Sequence, residues 1–434
     1  RPRTHMASYV AAKAGLEGLA RAMQMELEGT GVRVGMVRPG PSSTEQGTDW
    51  DEATVLHIIP TYKPAFGYGG VIVSIGMLCE ALHEAGHEVL VATTTANGKS
   101  ELPVHDREPV SVNGVPVLYF RRWTKDHSQF SPGFLVWLWA NARRFDAVHI
   151  HSWWNLSVLL GTPICLVRGV RPILSPRGML SSFTIKGHWK PLFHRFIGRN
   201  LLKKTFLHAT SEAEREECLG LIPGWENTLL PNILELPGEG GAAPVRGENG
   251  PFRLLFLSRI HEKKGIELLF GALAELPFEW SLTIAGDGEA EYVEKLKQQA
   301  AGIGAGFSQK ITWAGWVEPG QRFGAFRAAD LFVLPSHNEN FANVVIESLA
   351  VGTPVLVSRH VGLSGYVLEK KLGWACETTV ESVRNGILTA FSQKTDRERI
   401  ARTAPVQART DFAAGPLVAK YVDMYQKNRK GQTV

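Results

Sequence analysis

A regular alternation of buried strands and amphipathic helices is the feature that most constrains the fold of this chain. From Ala53 it runs through a strand at 53–60 ("ATVLHIIP"), a helix at 71–87 and a strand at 88–94 ("EVLVATT"). Such alternation predicts a parallel sheet covered by helices. A second alternating set begins at 252 with "FRLLFLSR". The sequence therefore predicts an α/β protein in which two doubly wound sheets face a ligand cleft.

The predicted boundaries follow changes in this pattern. Residues 53–235 form a first Rossmann-like domain, the Gly- and Pro-rich stretch 236–250 is a linker, and residues 251–410 form a second Rossmann-like domain. Residues 411–434 carry a lone amphipathic helix, which we expect to pack back on the first domain. Residues 1–50 are predicted to be a separate N-terminal α/β fragment of helix, strand and loop.

Composition excludes several classes of protein. The net charge of +5 suits anionic ligands but does not indicate a nucleic-acid partner. The longest apolar runs, such as 156–167, are shorter than the roughly 20 residues that span a bilayer. The cysteines are scattered, without a C-x-x-C pair, so a disulfide framework or zinc site is not expected and a cytoplasmic location is. They are Cys79, Cys165, Cys218 and Cys376.

Two cations follow the first strand of the second predicted domain. Arg259 and Lys264 lie in "SRIHEKKG" (258–265), after the strand and before a helix. At the carboxyl end of a strand, in a cleft, such a pair suits a pyrophosphate, because each cation can neutralise one phosphate. Taken alone, the pair is equally compatible with a solvated basic turn.

Two glutamates flank a predicted helix start in "PSHNENFANVVIESLAVGTPVLVS" (335–358). The helix is expected to begin near Phe341, with its first backbone N–H groups directed at an anion. Glu339 precedes it, and Glu347, about two turns into it, would accept hydrogen bonds from a ribose diol. This stretch is the most specific signal in the chain.

Glycines in two loops are candidates for close approach to a ligand. Gly69 and Gly70 stand at the start of the first predicted helix, where backbone without a side chain can approach a phosphate. Gly286 lies in "IAGDGE" (284–289), a tight turn after a strand, and a motif this short is commonly only a turn.

The order of these motifs resembles family 4 of the glycosyltransferases, retaining enzymes of the GT-B fold. The resemblance covers about residues 53–430. It implies that Arg259 and Lys264 bind the diphosphate of the donor. It also implies that Glu339 faces the donor sugar and that Glu347 binds the ribose.

The same resemblance assigns further positions. The backbone of Phe341, Ala342 and Asn343 is implied to cradle sugar and phosphate, and Ala342 stands where the family usually has glycine. Trp316 corresponds to a contact with the nucleobase, and the loop of Gly69, Gly70 to one that closes over the donor. His151 is similar to a histidine that touches the transferred sugar, whereas we expect His149 to be a core residue.

The reaction implied is transfer of a sugar from a nucleotide-diphosphate donor to a glycan or lipid-linked acceptor with retention, in cell-surface polysaccharide synthesis. Neither a cofactor nor a metal is expected, because cations and helix N–H groups would stabilise the departing diphosphate. The "DWD" run at 49–51 has the spelling of a metal motif, but no strand precedes it and we interpret it as coincidence. A non-catalytic nucleotide-sugar-binding scaffold remains the open alternative.

A basic segment at 185–204 contains no acidic residue and interleaves cations with apolar side chains. It either contacts an anionic membrane at the inner face of the cell membrane or forms a solvated helix beside the cleft. The residues predicted for this acceptor or membrane side are Arg177, Lys186, Lys190 and Arg195.

Residues 1–50 resemble the C-terminal part of a short-chain dehydrogenase/reductase. Tyr9 and Lys13, in "SYVAAKAGL" (8–16), match the proton-transfer pair of that family. An NAD(P)-dependent dehydrogenase is therefore the second alternative. The glycine-rich dinucleotide turn is absent from this chain, so NAD(P) would bind only if the fragment were completed, and we expect the pair to be inactive.

Overall fold

The computed structural model describes residues 54–181, 183–185, 189–238 and 250–430. The chain divides into two units, Arg1–Asp49 and Trp50–Val434, and all described residues belong to the second. Tyr9, Lys13, Lys186 and the run at 49–51 lie outside the described residues, so their predicted roles stay predictions.

The first half of the described chain is built on one large sheet. Its strands are β1 (Val55–Ile58), β2 (Val89–Thr94), β3 (Ala96–Asn97), β4 (Ser100–Glu101), β5 (Pro109–Val112), β6 (Val115–Phe120), β7 (Ala147–His151), β8 (Ile173–Ser175), β9 (Phe206–Ala209) and β10 (Asn227–Leu229). β3 and β4 pair as a separate two-stranded ribbon, and the others form a sheet in the order β10-β9-β8-β7-β1-β2-β6-β5. Only β5 is antiparallel to its neighbour in that sheet.

The second half has a six-stranded sheet, and every pair of neighbours in it is parallel. Its strands are β11 (Phe252–Leu257), β12 (Trp280–Ala285), β13 (Ile311–Gly315), β14 (Leu331–Leu334), β15 (Val355–Ser358) and β16 (Gly373–Cys376). The order β13-β12-β11-β14-β15-β16 is that of a doubly wound fold, with the direction of winding reversing between β11 and β14. The predicted fold class is confirmed.

Helices connect these strands. They are α1 (Gly70–Glu84), α2 (Pro132–Asn141), α3 (Leu156–Val167), α4 (Trp189–Phe193), α5 (Arg199–Leu202), α6 (Glu212–Leu221), α7 (Ile266–Ala274), α8 (Ala290–Ile303), α9 (Ala305–Ser308), α10 (Pro319–Ala328), α11 (Asn343–Ala350), α12 (Ser364–Glu369), α13 (Val380–Ser392), α14 (Lys394–Phe412) and α15 (Ala414–Lys430). A π-helical turn, His194–Gly198, joins α4 to α5. None of the described helices combines the length and apolar character needed to cross a membrane.

The last helix returns the chain to the first half. Leu417, Tyr421 and Tyr425 of α15 recur every four residues, which places them on one helix face. That face is buried in the same core as Ile75 of α1 and Val55 of β1. The preceding helix, α14, packs instead in the core of the second sheet through residues such as Phe412. The chain therefore passes from the second half back to the first between α14 and α15, and this connection links the two halves.

α11 begins two residues later than its sequence predicts. Phe341 is buried, Ala342 has a left-handed backbone with φ of 71°, and the helix starts at Asn343. A left-handed residue cannot lie inside a right-handed helix, so the helix cannot extend back to Phe341. The backbone N–H groups that are free at the start of α11 therefore belong to the residues after Ala342.

Candidate active site

An ion pair joins two of the predicted site residues. Lys264 ends a short 3-10 turn after β11 and Glu339 lies in the loop before α11, 75 residues later, and Lys264 Nζ donates to the Glu339 carboxylate. Gly265, with φ of 69°, follows Lys264, and a Cβ there would lie 2.3 Å from the carbonyl oxygen of Pro335. The glycine therefore allows the two loops to pack closely enough for the pair to form. A bound phosphate would compete with Glu339 for this ammonium.

Two more cations lie next to this pair. Arg259 is exposed and, among the described residues, its side chain has no hydrogen bond or ion pair. Lys263 places its Nζ 5.4 Å from the centre of the Phe183 ring, which belongs to the first half. Burial lowers the pKa of Lys263, and the charges of Lys264 and Arg259 lower it further against the opposing effect of Glu339. The loop after β11 is therefore a concentrated positive region facing the first half.

Glu347 is paired inside the protein. Its side chain is 4% exposed, and Arg322 Nη1 donates to both carboxylate oxygens, at 2.9 and 3.1 Å. Burial raises the pKa of Glu347, and the guanidinium of Arg322, on α10, opposes that shift. A ribose diol at Glu347 would therefore share the carboxylate with Arg322.

The start of α11 meets the glycine loop of the first half. Gly69 has φ of 90° and open space where its side chain would be, while a Cβ on Gly70 would lie 3.9 Å from Asn343 Nδ2. Asn343 Oδ1 in turn accepts from Asn232 Nδ2 at 2.9 Å. The Phe341 side chain packs in the core against Phe412, with 6.0 Å between ring centres. Only backbone remains at Phe341 to face a ligand.

Asn340 seats in a socket formed by the first half. Its Nδ2 donates to Thr210 Oγ1 at 2.8 Å, and its carbonyl oxygen accepts from Ser211 Oγ at 2.8 Å. The buried carboxylate of Glu214 organises this socket by accepting from the backbone N–H groups of Gly178 and Thr210, at 2.7 and 2.8 Å, and from the Thr210 hydroxyl. Because Asn340 follows Glu339 directly, contact between the halves and the position of the Glu339 carboxylate are linked.

Two other predicted positions have different surroundings. A Cβ on Gly286 would lie 2.0 Å from the Ser258 carbonyl oxygen, so the glycine allows two loops to meet and its bare side faces protein backbone. Trp316 is 58% exposed and its indole N–H donates to Glu318 at 3.2 Å. The ring is therefore available for stacking from solvent.

Four histidines form a fully buried histidine cluster under the carboxyl ends of the first sheet. They are His57, His149, His151 and His208. His149, which was predicted to be a core residue, is indeed buried, and His151 is equally inaccessible. Burial is the main cause that lowers the pKa of all four, to about 3 for His57 and His208 and well below the usual value for His149 and His151. The cluster is therefore neutral near pH 7.

Hydrogen bonds determine which nitrogens carry protons in part of the cluster. His208 Nε2 must donate to the Leu230 carbonyl oxygen, 2.9 Å away, so its Nδ1 accepts from Ser175 Oγ. Ser175 then accepts from His149 Nε2 at 2.7 Å, and His149 Nδ1 accepts from the Tyr425 hydroxyl at 3.1 Å. This series of hydrogen bonds gives every ring nitrogen of His149 and His208 a partner while both rings are neutral.

The remaining two histidines are only half satisfied. His57 Nδ1 and His151 Nε2 share one hydrogen bond of 3.0 Å, and the other nitrogen of each ring has no partner in the described part of the chain. Nitrogens of His57, His149 and His151 lie within 4.8 Å of one another, a separation compatible with a metal ion. However, both ring nitrogens of His149 are already used in the hydrogen bonds to Tyr425 and Ser175, so neither has a lone pair left for a metal. The nearby Arg177 cation also opposes a second positive charge. These features favour a neutral hydrogen-bonded cluster.

The residues predicted for the acceptor side separate into two places. Arg177 is only 7% exposed, because its guanidinium points into the interior and donates to Asn232 Oδ1. Lys190 lies at the surface, where its Nζ donates to the Thr184 carbonyl and sits 5.2 Å from the Trp154 ring centre. Arg195 is exposed beside Phe196, which is 65% exposed.

Comparison with known proteins gives two matches to glycosyltransferase families. The model of the group 1 glycosyl transferases matches residues 244–407, and the glycosyl transferase 4-like domain matches residues 69–232. Together these ranges cover both sheets. The chain is a glycosyltransferase with one domain of the group 1 type and one of the 4-like type. A third match, to short chain dehydrogenase, covers residues 1–54 and agrees with the resemblance of the N-terminal fragment.

Individual relatives of this glycosyltransferase are distant. An uncharacterized glycosyltransferase of Methanocaldococcus jannaschii is 24% identical over 388 residues, covering 82% of this chain and 94% of its own. The alpha-monoglucosyldiacylglycerol synthase of Streptococcus pneumoniae is 26% identical over 335 residues, covering 72% and 73%. The Anabaena protein HepE, solved in complex with UDP-glucose, superposes with a TM-score of 0.67 at 18% identity, covering 86% and 100%.

The glycosyltransferase site contains residues that sequence reasoning missed. Arg322, Asn232 and Asn340 had no local signal, because each meets its partner across 25 or more residues. Glu214 lies in the "HATSEAE" stretch, where Ser211 caps α6 by accepting from the Glu214 N–H at 3.2 Å. That Ser-x-x-Glu spacing is typical of a helix start, and the stretch also resembles one found in polysaccharide-assembly glycosyltransferases, but neither signal gave its contact with Asn340.

Proposed function

We propose that this glycosyltransferase moves a sugar from a nucleotide-diphosphate donor to a glycan or lipid-linked acceptor with retention of anomeric configuration, in cell-surface polysaccharide synthesis. The single observation that carries the proposal is the ion pair of Lys264 and Glu339, beside Arg259 and the first turn of α11. Anionic groups are favoured at such cation clusters and helix starts. The complex of Anabaena HepE with UDP-glucose supports the same class of donor.

In the proposed reaction the bond between the anomeric carbon and the diphosphate breaks while the acceptor oxygen bonds to the same face of the sugar. The acceptor proton passes to a phosphate oxygen of the leaving group. Arg259, Lys264 and the N–H groups of α11 would stabilise the charge that develops on the diphosphate, so that no metal is required. Once Lys264 binds phosphate, Glu339 is released to accept hydrogen bonds from the donor sugar.

An anionic membrane surface is the proposed setting of the acceptor. The 65 residues from 147 to 211 contain nine Lys or Arg and no Asp or Glu. Among the side chains whose exposure the structure describes between 136 and 197, ten large apolar ones are exposed by more than a third, including Leu192, Phe196 and Ile197 around the π-helical turn. Exposed apolar side chains interleaved with cations bind anionic lipid. The pneumococcal relative is named for a diacylglycerol glycolipid, which supports a lipid-linked acceptor.

Binding and turnover of nucleotide sugars test the proposal. Thermal shift with a panel of nucleotide-diphosphate sugars identifies the donor, because a bound ligand stabilises the folded state. With that donor, we expect Lys264→Ala and Glu339→Gln each to reduce transfer at least 100-fold. Lys310→Ala is the matched control, since Lys310 pairs with Glu279 at 3.1 Å before the amino ends of β13 and β12, at the opposite edge of the sheet. A wild-type protein that binds the donor but never transfers or hydrolyses it would instead be the non-catalytic scaffold.

Membrane contact is measured by co-sedimentation with phosphatidylglycerol vesicles, with phosphatidylcholine vesicles as the comparison. We expect binding to the anionic vesicles only, and its loss in the double variant Phe196→Ser, Ile197→Ser. Equal sedimentation of wild type and variant would contradict the proposed surface.

A further inference from the structure

Arg177 is a buried cation without a counter-charge. It lies two residues after the carboxyl end of β8, on the edge of the sheet where ligands of doubly wound folds bind. Its side chain is 93% inaccessible, and its φ of 55° is left-handed, which is rare for a residue other than glycine. The chain thus holds a strained backbone position that turns a guanidinium into the interior.

The hydrogen-bond partner of this guanidinium is neutral. Nη1 donates to Asn232 Oδ1, and Nε has no partner among the described residues. No carboxylate in the described part of the chain lies within ion-pair distance. The carboxylate of Glu214 does not pair with Arg177. Its oxygens accept hydrogen bonds from Gly178, the residue after Arg177, and from Thr210.

The ionisable groups around Arg177 do not balance its charge either. The four members of the histidine cluster feel its positive charge, which adds to burial in lowering the pKa of each. A buried charge without a partner is strongly unfavourable. A buried guanidinium without a counter-charge in the protein is therefore expected where a ligand brings the opposite charge. The missing component is therefore an anion.

The position of Arg177 connects it to the reaction centre. Asn232, which accepts from Arg177, donates to Asn343 at the start of α11, and Asn343 lies against Gly70 of the glycine loop. The next residue, Gly178, contacts Asn340 of the other half, with 3.0 Å between its Cβ position and Asn340 Cβ. Arg177 is thus one hydrogen-bonded residue away from the place where both halves meet.

We propose that Arg177 binds an anionic group, a carboxylate or a phosphate, carried by the transferred sugar or by the acceptor. The inference rests on the proposed function, because it takes the cleft to be the transfer site. The donor diphosphate has its own cations in the second half, Arg259 and Lys264, so Arg177 serves a different anion. A guanidinium fork matches carboxylate and phosphate oxygens, and the unpartnered Nε is one prong of that fork.

Matched charged and neutral ligands test this assignment and separate the two sources of the anion. In the donor arm, affinities for UDP-glucuronic acid and UDP-glucose are compared by calorimetry, with the corresponding pairs for other bases if uridine does not bind. In the acceptor arm, glucose 6-phosphate and glucuronic acid are compared with glucose, without any nucleotide. We expect the wild-type protein to prefer the charged member at least tenfold in one of the two arms.

Variants decide whether the preference belongs to Arg177. Arg177→Gln should reduce it to less than twofold, Arg177→Lys should retain part of it, and affinity for the bare nucleoside diphosphate should stay within twofold in both. Arg171→Gln is the control, because Arg171 precedes the same strand at its other end and pairs with Glu226 at 2.8 Å.

Each outcome has a defined meaning. A wild-type protein without charge preference in either arm, or an Arg177→Gln variant that loses charged and neutral ligands equally, overturns the inference and makes Arg177 a structural tie. Should Arg177→Gln fail to fold, Arg177→Lys and the wild-type preference still decide it. Failure of every nucleotide to bind would overturn the proposed function, while the acceptor arm would still report on Arg177.

Discussion

Mild acid is expected to destabilise this protein through the histidine cluster. Each of the four rings is fully buried, and burial is the largest cause that lowers its pKa. The positive charge of Arg177 lowers the pKa of each ring further. In the unfolded chain a histidine has a pKa of about 6.5. Below that pH the unfolded state takes up protons that the native state does not bind, so the free energy of unfolding falls as the pH falls.

The magnitude follows from proton linkage. Between pH 7.5 and 5.5, each histidine with a strongly lowered native pKa removes about 1.4 kcal/mol from the free energy of unfolding. Four such rings remove about 5.5 kcal/mol, comparable with the whole stability of a typical domain. The loss begins about one pH unit above the unfolded-state pKa of 6.5 and continues toward pH 3, where His57 and His208 themselves become protonated in the native state. Above about pH 7.5 the histidines contribute almost no pH dependence.

Urea denaturation at pH 7.5, 6.5 and 5.5, followed by tryptophan fluorescence, measures this slope. Carboxylates contribute as well, so the informative quantity is the difference between wild type and His208→Gln. The glutamine amide can still donate to Leu230 and accept from Ser175, but it does not titrate. We expect its loss between pH 7.5 and 5.5 to be smaller by about 1.4 kcal/mol.

His105→Gln is the matched control, because His105 is exposed and lies outside the cluster. Its loss between pH 7.5 and 5.5 should equal that of the wild type. Identical losses in His208→Gln and wild type would refute the reasoning, since they would mean that His208 binds its proton equally in the native and unfolded states.

Three further predictions concern the second half and its contact with the first. Ala342→Gly should raise the free energy of unfolding by up to about 1 kcal/mol, because a left-handed alanine is strained, and a decrease in urea denaturation would contradict this. Glu347→Gln should lower it by about 2 kcal/mol, because the half-buried Arg322 guanidinium loses its charge-assisted hydrogen bonds to the carboxylate, and a combined Arg322→Met variant should recover part of the loss. Asn340→Ala should reduce kcat/KM about fivefold through the lost bond to Thr210, and Thr210→Val should add nothing further if the socket acts as one unit.

Local patterns in the sequence were sufficient for the fold class and for part of the site. Strand–helix alternation predicted two doubly wound sheets, because burial on both faces of a parallel sheet leaves a periodic record in the chain. Arg259 and Lys264 share one loop, and Glu339 and Glu347 flank one helix start, so neighbours in sequence were also neighbours in space. Their roles toward a donor remain predictions.

Tertiary structure decided what lies between distant segments. The histidine cluster exists because the strand order sets β7 between β1 and β8, which brings together rings that are 94 and 59 residues apart. Only the structure shows that Arg177, which was predicted on the acceptor or membrane side, is an interior cation. Periodicity records whether a residue is buried, but the identity of its partner depends on strand order and on how the halves meet. That is why the pairing of Glu347 with Arg322 and the socket for Asn340 required the structure.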